Sequence, residues 1–339
     1  MIQEAEYMSK QPFGKNEQGS EVFLYTLEND QIQASFSDYG ATMVSLIYKK
    51  TGVDVLLGYD SVEGYIQNSG HLGGFIGRTA NRIKDAVFTL NGKTVELEHN
   101  SGNNNIHGGN TGFDRVMYDA EETANKVIFH RLSPDGEAGY PGDLDVTVTY
   151  TLLEDGVELK AEGRAVGQDT VFAMTNHNYY NLDGSDTIEQ HVVRIPAERY
   201  ALDSPDGIAQ LPLLAVEGTA FDFRTEKALG KNINDPDPQL IANKGYDHHW
   251  SVDGEGLRLF AECEASGTVM TVESNLPGMH MYTANFLNAV GKQKQQYHMH
   301  SGVCFEPEFI PNGLNYEGVV KPIVKENETS VQIIRLRFR

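Results

Sequence analysis

Apolar and polar residues alternate with a period of two along much of the chain, and this pattern predicts half-buried β-strands. In the last of the clearest runs, Arg335 and Arg337 occupy the intervening polar positions. We expect each run to bury one face of a strand. The apolar positions of the four runs are Ile32, Ala34 and Phe36; Leu144, Val146, Val148 and Tyr150; Leu257, Leu259 and Ala261; and Ile334, Leu336 and Phe338.

Short turns between such runs predict antiparallel pairing. Asn91-Gly92 separates Val87–Leu90 from residues 94–97, and this pair is typical of a type I′ hairpin because both turn positions need a positive φ. A second hairpin is predicted across Glu154-Asp155-Gly156 and a third across Ser266-Gly267. Helical spacing is scarce, and the best candidate, residues 60–65, would form only a turn or two.

The sequence shows no sign of a division into parts. Its length of 339 residues would allow two domains. However, no Pro-, Ser- or Gly-rich linker, low-complexity tract or short repeat interrupts the pattern. We therefore predict a single all-β domain over residues 1–339, a large antiparallel β-sandwich with few short helices.

Charge and cysteine content exclude several classes of function. The net charge of −21 opposes binding to nucleic acids and anionic membranes, because both are polyanions. No apolar run is long enough for a spanning helix and no signal peptide is evident, so we expect a cytoplasmic protein. Cys263 and Cys304 lie far apart in sequence, which predicts buried free thiols rather than a disulfide framework or a zinc knuckle.

Two histidines stand in segments suited to a ligand site. His107 lies in Asn105-Ile106-His107-Gly108-Gly109, where the glycines would let the backbone approach a ligand closely. The alternative is a surface turn with an incidental histidine. His177 lies in the polar and aromatic segment 175–181, a composition that suits recognition of sugar hydroxyls. A hydrogen-bonded strand end would have the same composition.

An acidic residue with apolar neighbours offers a candidate general base. Glu306 lies in Cys304-Phe305-Glu306-Pro307-Glu308, and desolvation there would raise the pKa of its carboxyl toward neutrality. Alternation places Cys304, Glu306 and Glu308 on one face of a strand. Alternatively, either glutamate is an exposed charge on an edge strand.

Other histidine pairs suggest metal ligands at first sight. They occur in Asp247-His248-His249-Trp250 and in His298-Met299-His300. No third ligand follows at a recognisable spacing, so we expect hydrogen-bonded histidines and no metal site. The motifs GxSxG, GxGxxG and GxxxxGKS are also absent, which leaves acid-base chemistry as the best-supported class.

Five motifs, in consistent order between residues 36 and 338, resemble those of the aldose 1-epimerase family, the galactose mutarotases. Tyr246-Asp247-His248 lies between the last two motifs, which strengthens the resemblance. The five motifs are Gly77-Arg78-Thr79-Ala80-Asn81-Arg82-Ile83, Asn105-Ile106-His107-Gly108-Gly109, Gly139-Tyr140-Pro141-Gly142, Asn176-His177-Asn178-Tyr179-Tyr180-Asn181-Leu182 and His300-Ser301-Gly302-Val303-Cys304-Phe305-Glu306.

This resemblance implies a sugar cleft on a large β-sandwich and a cofactor-free reaction. Glu306 would remove the proton of the C1 hydroxyl, His177 would protonate the ring oxygen, and His107 would support the acid. The residues implied in sugar binding are Asn81, Arg82, Asp247, Tyr179 and His280. Arg82 has a structural alternative, an ion pair that holds a loop to an acidic residue.

The chain also departs from the pattern of the family it resembles. Glu306-Pro307-Glu308 replaces the frequent Glu-x-Gln, His280 replaces a frequent Gln, and His249-Trp250 replaces the more usual Asn-Phe. These changes leave the acid and base in place but alter expected hydroxyl contacts. They therefore leave the preferred aldose open.

Three other functions are alternatives to an aldose 1-epimerase. A hexose 6-phosphate epimerase would need a cationic cluster for the phosphate, and none is evident in the sequence. A non-catalytic sugar-binding module could share the fold. A metal-dependent hydrolase would use His248, His249, His298 and His300. For the favoured epimerase, the expected partner is a monosaccharide, and the protein would be a monomer or a homodimer.

Overall fold

The computed structural model describes residues 7–68 and 70–339, and strands dominate it. The α-helices of these residues, Val62–Ile66 and Pro238–Asn243, are short. In chain order the strands are β1 (Tyr7–Lys15), β2 (Glu21–Glu28), β3 (Ile32–Ser37), β4 (Thr42–Tyr48), β5 (Val53–Asp54), β6 (Phe75–Ile76), β7 (Arg82–Ile83), β8 (Val87–Leu90), β9 (Lys93–Glu96), β10 (Asn105–Ile106), β11 (Asp119–Thr123), β12 (Lys126–Ser133), β13 (Asp143–Leu153), β14 (Gly156–Val166), β15 (Thr170–Val171), β16 (Thr175–Asn176), β17 (Val192–Arg194), β18 (Arg199–Tyr200), β19 (Leu214–Ala215), β20 (Lys227–Ala228), β21 (Asp247–Ser251), β22 (Arg258–Ala265), β23 (Thr268–Ser274), β24 (Gly278–Tyr282), β25 (Ala289–Val290), β26 (Gln296–Tyr297), β27 (Cys304–Glu308), β28 (Ile323–Val324) and β29 (Thr329–Phe338). Short 3-10 helices occur at Lys84–Ala86, Phe113–Arg115, Glu137–Gly139, Leu229–Lys231, Lys292–Lys294 and Gly313–Asn315.

Three large antiparallel sheets form the framework. The largest has nine strands in the order β11-β12-β13-β14-β29-β23-β22-β17-β20. One five-stranded sheet runs β1-β2-β3-β4-β5, and the other runs β19-β18-β21-β24-β27. This architecture confirms the predicted all-β sandwich with few short helices. Across the described residues, no helix is both long and apolar enough to span a bilayer.

A shared core connects the three sheets. One cluster of buried residues includes Phe36 of the first sheet, Tyr150 of the nine-stranded sheet and Trp250 of the third. The rings of Phe36 and Tyr150 stack with their centroids 4.3 Å apart. Because such ring pairs bury large apolar areas, they fix the two sheets face to face.

The predicted hairpins are present in the structure. Asn91 and Gly92 have φ values of 51° and 74°, as the type I′ turn requires. Ser266 and Gly267 have φ values of 50° and 81°, and they connect β22 to β23. The turn at Glu154-Asp155 connects β13 to β14.

One of the predicted alternating runs is wrong in its detail. Leu257 lies before β22 and is 37% exposed. The register of β22 against β23 shifts between Leu259 and Ala261. Since a β-bulge of this kind changes which face the following side chains occupy, Phe260 and Ala261 are both buried.

The register of β21, β24 and β27 distributes their side chains between two faces, of which one is mainly apolar and the other mainly polar. His248, Met281 and Phe305 are aligned across the three strands, as are His249, His280 and Glu306. Because side chains alternate between faces, the first row lies on one face with Trp250. The second row lies on the opposite face, together with Asp247, Tyr282 and Cys304, and we call that face the polar face.

Arg78, three residues before Asn81, is a buried arginine that connects loops distant in sequence. The Arg78 side chain is only 2% exposed, and burial lowers its pKa to about 10, so it is still a cation at neutral pH. Its planar guanidinium can bond several acceptors at once. The acceptors are Ser133 Oγ, Thr170 Oγ1 and the carbonyls of Ser133, Pro134, Pro141 and Gly142.

We predict that Arg78→Lys lowers the free energy of unfolding by about 3 kcal/mol, because an ammonium leaves several buried carbonyls without a donor. Urea unfolding of wild type and variant measures the change. Arg199→Lys is the matched control, since Arg199 pairs with Asp253 at the surface and its replacement should cost less than about 1 kcal/mol. Equal losses in the two variants would contradict the role of Arg78.

Candidate active site

The polar face opens into a cleft of about 600 Å³. Every residue that the sequence indicated as catalytic or sugar-binding lines this cleft, although the residues are spread over more than 200 positions of the chain. The structure thereby brings together side chains from four strands and three loops. These residues are Asn81, Arg82, His107, His177, Tyr179, Asp247, His280 and Glu306.

His177 and Glu306 form the centre of the cleft. His177 Nε2 lies 3.8 Å from Glu306 Oε1, too far for a hydrogen bond and too close for another atom to enter between them, so the two groups lie side by side and can face neighbouring atoms of one ligand. His177 directly follows β16, and its backbone is bonded to Gly73 and Gly74. Its ring stacks on Tyr179 with the centroids 5.1 Å apart. The imidazole is therefore held in a fixed orientation.

Burial shifts the pKa values of these two groups in opposite directions. Burial, with a further contribution from Asp247, raises the pKa of Glu306 to about 8, while His280 opposes the rise. Burial, with contributions from His71 and His280, lowers the pKa of His177 to about 3. Desolvation disfavours every charged form. The unliganded pair therefore holds one proton at neutral pH, and that proton lies on Glu306.

Cys304 contacts the other nitrogen of the His177 ring. Its Sγ lies 3.6 Å from Nδ1, and burial keeps its pKa well above the ordinary thiol value. Among the described residues, His177, Cys304 and Glu306 are the group whose atoms could hold a metal ion. However, the thiol and the carboxylate approach different ring nitrogens. The arrangement is thus better suited to orienting the imidazole than to enclosing an ion.

His107 reaches the cleft through a tight loop. Its Nδ1 accepts a hydrogen bond from the Asn81 backbone N–H at 3.2 Å, so a neutral ring carries its proton on Nε2. Burial holds its pKa well below the usual value. Gly108 has a φ of 83°, and a Cβ there would collide with the carbonyl of Gly77. The glycine therefore allows this loop to lie against the segment that carries Asn81.

Asn81, His280 and Asp247 form a continuous polar chain. The Asn81 amide oxygen accepts from the Arg82 backbone N–H at 2.8 Å, and its Nδ2 lies 3.3 Å from His280 Nδ1. His280 Nε2 lies 2.6 Å from Asp247 Oδ1. Although burial opposes its charge, the bond and the charge of Asp247, with Glu308, raise the pKa of His280 to about 9.

Glu308 and His249, the other departures from the family pattern, contact this row of polar groups. Glu308 Oε1 lies 3.1 Å from His249 Nδ1 and 3.7 Å from His280 Nδ1. Both glutamates of the segment are buried, so the alternative of exposed charges is wrong, although β27 is the edge strand of its sheet. Burial raises the pKa of Glu308 well above the usual value. The three substituted positions thus form one buried network.

Arg82 and Tyr179 differ in the ion pairs and hydrogen bonds that their side chains form within the protein. In the described part of the chain the Arg82 guanidinium forms no ion pair within 4.0 Å, so the loop-holding alternative gains no support. The Tyr179 hydroxyl donates to the Gly70 carbonyl at 2.8 Å. Arg82 is consequently free to bind a ligand, whereas Tyr179 mainly presents its ring.

Sequence reasoning missed a further pair at the cleft. His71 Nδ1 lies 2.7 Å from Asp114 Oδ2, and the His71 ring contacts those of His107 and His177. His71 is followed by Leu72-Gly73-Gly74, which is the glycine signal that drew attention to His107. Its partner Asp114 lies 43 positions away, so no local pattern could have paired them.

The histidines considered as metal ligands point to separate partners. His248 Nε2 contacts Gln239 Oε1 and His249 contacts Glu308. His298 Nε2 bonds the Asp186 carboxylate, and His300 Nε2 bonds the Lys244 carbonyl. Residues 298–300 follow β26 instead of lying on a strand. The arrangement gives no support to a metal-dependent hydrolase.

Comparison with known proteins gives matches over most of the chain. The family model described as aldose 1-epimerase matches residues 24–337. The chain is 38% identical to galactose mutarotase of Bos taurus over 91% of both chains, and 38% identical to that of Homo sapiens over 88% of both. The crystal structure of galactose 1-epimerase from Lactobacillus acidophilus is similar, with a TM-score of 0.87 and 26% identity over 98% of this chain and 99% of that one.

We predict that the His177 imidazole stays neutral at pH 5, since burial lowers its pKa to about 3. Long-range ¹H–¹⁵N NMR of histidine-labelled protein reports the charge of each ring. His298 is the internal control, because its bond to Asp186 raises its pKa above the usual value and it should be cationic at pH 5. Titration of His177 near pH 6.5 would show that the site is wetter than its burial implies.

Proposed function

The chain belongs to the aldose 1-epimerase family and is an isomerase that interconverts the anomers of aldoses, and from this premise we propose that Glu306 and His177 carry out the proton transfers. The observation that supports this assignment is their placement 3.8 Å apart in the cleft. Free aldoses such as D-galactose and D-glucose are the proposed substrates.

The proposed reaction begins with the cyclic sugar bound against the two groups, its C1 hydroxyl facing Glu306 and its ring oxygen facing His177. The Glu306 carboxylate removes the proton of the C1 hydroxyl, while the His177 imidazolium protonates the ring oxygen and the C1–O5 bond breaks. Rotation about the C1–C2 bond then presents the other face of the aldehyde. The same transfers in reverse close the ring as the opposite anomer. No cofactor takes part.

The opposed pKa shifts favour the forward transfers. Ring opening moves one proton from His177 to the sugar and one from the sugar to Glu306, so the pair keeps its total of one proton. A carboxylate of raised pKa is a stronger base, and an imidazolium of lowered pKa is a stronger acid. The site therefore stabilises the open-chain state, which is scarce in solution. The affinity for the cyclic sugar is correspondingly lower.

Sugar recognition is proposed for the polar groups around this pair. Arg82 and Asp247 supply charged contacts to hydroxyls, and Asn81 and His280 supply directional ones. The Tyr179 ring offers an apolar wall. His107, whose Nε2 carries a proton, would bond near the ring oxygen and assist His177. We add His71, held by Asp114, as a further contact to the substrate.

We propose four wider properties that accord with the composition and the fold. A single domain over residues 1–339 accords with the core shared by the three sheets. The two free cysteines, Cys263 and Cys304, accord with a reducing, cytoplasmic location. The net charge of −21 disfavours a nucleic-acid partner. The protein is proposed to act as a monomer or a homodimer.

We predict that Glu306→Gln and His177→Asn each reduce catalysis of anomer exchange about 100-fold or more, because each removes one proton-transfer group. Polarimetry of freshly dissolved α-D-galactose and α-D-glucose, corrected for spontaneous exchange, measures the rate. The exposed variant His298→Ala should match wild type. Variants that are folded and nearly as active as wild type would overturn the assignment of acid and base.

We also predict that kcat/KM is constant between about pH 5 and pH 7 and falls as the pH rises through about 8. The active pair holds one proton, which is lost above the pKa of Glu306 at about 8. A second proton binds only near the His177 pKa of about 3. Blank-corrected polarimetry over this range gives the profile. Activity that declines below pH 6.5 would point instead to an ordinary histidine base.

A further inference from the structure

His280 stands directly beside the proposed base. It is the cross-strand partner of Glu306 in the register of β24 and β27, and directly opposed residues have Cβ atoms about 5 Å apart on the same face. His280 is 5% exposed and Glu306 is 3% exposed. A charge on the imidazole would therefore act on the carboxyl with little screening by water.

The contacts of His280 favour its charged form. Its Nε2 lies 2.6 Å from an oxygen of Asp247, and its Nδ1 lies 3.7 Å from an oxygen of Glu308. The Asn81 amide nitrogen, 3.3 Å from Nδ1, would favour a neutral ring. Charge-assisted bonds are about twice as strong as neutral ones, so Asp247 outweighs the amide.

Several other groups contribute to the field around His280. On its neighbouring strands the acids outnumber the bases, and Arg82 of β7 is a further cation, whose charge acts on Asp247. Burial keeps His107, His177, His248 and His249 neutral near pH 7. The titratable and charged groups that face His280 are Asp247, His248 and His249 on β21, Glu306 and Glu308 on β27, and Arg82, His107, His177 and Asp203 from other segments.

We propose that His280 is a fixed cation that stabilises the ionised form of Glu306 and thereby sets the alkaline limit of activity. The inference rests on the proposed role of Glu306 as base. In this arrangement Asp247 holds the imidazolium in place, and the imidazolium offsets the cost of ionising a buried carboxyl. His280 thus tunes the base in addition to lining the sugar site.

The test is His280→Gln, which keeps a polar side chain and removes the cation. Without the His280 cation, the Asp247 carboxylate has no charged partner at this position. The loss of the positive charge and the uncompensated negative charge each raise the pKa of Glu306. The alkaline limb of kcat/KM should move up by about one pH unit or more, and kcat at pH 7 should fall about tenfold. A limb that stays in place or moves down overturns the proposal.

Two further variants separate charge from structure. His280→Lys restores a cation and should return the limb toward that of wild type. His191→Gln is the matched control, because His191 is a fully buried histidine outside the cleft whose pKa is lowered by burial. It should leave the limb unchanged. Failure of the lysine to restore the limb, or an equal shift in the control, counts against a role for charge.

Carboxyl-¹³C NMR of Glu306 and ¹⁵N NMR of His280 test the proposal without any activity. We expect a doubly protonated His280 ring at pH 7 in wild type, and a higher Glu306 pKa in His280→Gln. A neutral His280 ring, or an unchanged Glu306 pKa, overturns the inference. If wild type fails to accelerate exchange of any aldose, the proposed function fails, and these spectra still decide whether His280 tunes Glu306.

Discussion

The antiparallel register of β21, β24 and β27 is the constraint on which the site depends. One face of these strands supplies Trp250 and Phe305 to the core, and the other supplies His280 and Glu306 to the cleft. Because side chains alternate with a period of two, a slip of one residue would exchange the two faces. It would place the carboxylates in the apolar core and the aromatic side chains in the sugar cleft. Packing and chemistry therefore specify the same register.

Desolvation sets the balance of charge on that face. Glu306 and Glu308 are both buried, and the charge of Asp247 acts on both, so each ionised carboxyl would be costly without a partner. Protonation of Glu306 and the cation at His280 are two ways to reduce this cost, and only the second leaves Glu306 able to accept a proton. A site that needs an ionisable carboxyl in a dry cleft must therefore keep a positive charge near it without letting that charge form a direct ion pair with the base. The position of His280, bonded to Asp247 and not to Glu306, meets this requirement.

Local sequence patterns predicted those parts of the fold that depend on neighbours in the chain. The hairpins at Asn91-Gly92 and Ser266-Gly267 follow from turn chemistry, whereas the bulge near Phe260 has no such signature and was missed. The loop of His107 was recognisable from its glycines. The pairing of His71 with Asp114 was not, because it is made only by tertiary structure. The roles of the lining residues and the single-domain organisation stay predictions, since placement in a cleft does not by itself define a proton path.

The loops that carry Asn81 and His107 are held by residues that do not line the cleft. Arg78 fixes residues 133–142 to the segment that leads to Asn81, and Gly108 lets the His107 loop pack against that same segment. His107, His177 and Glu306 come from separate elements. The distances between them therefore depend on how these elements pack together. Catalysis depends on the exact placement of the reacting groups, and a misplacement of about 1 Å can cost about 100-fold in rate. Buried residues outside the cleft therefore contribute to catalysis. They lose conformational entropy on folding, and this ordering holds His177 and Glu306 facing each other.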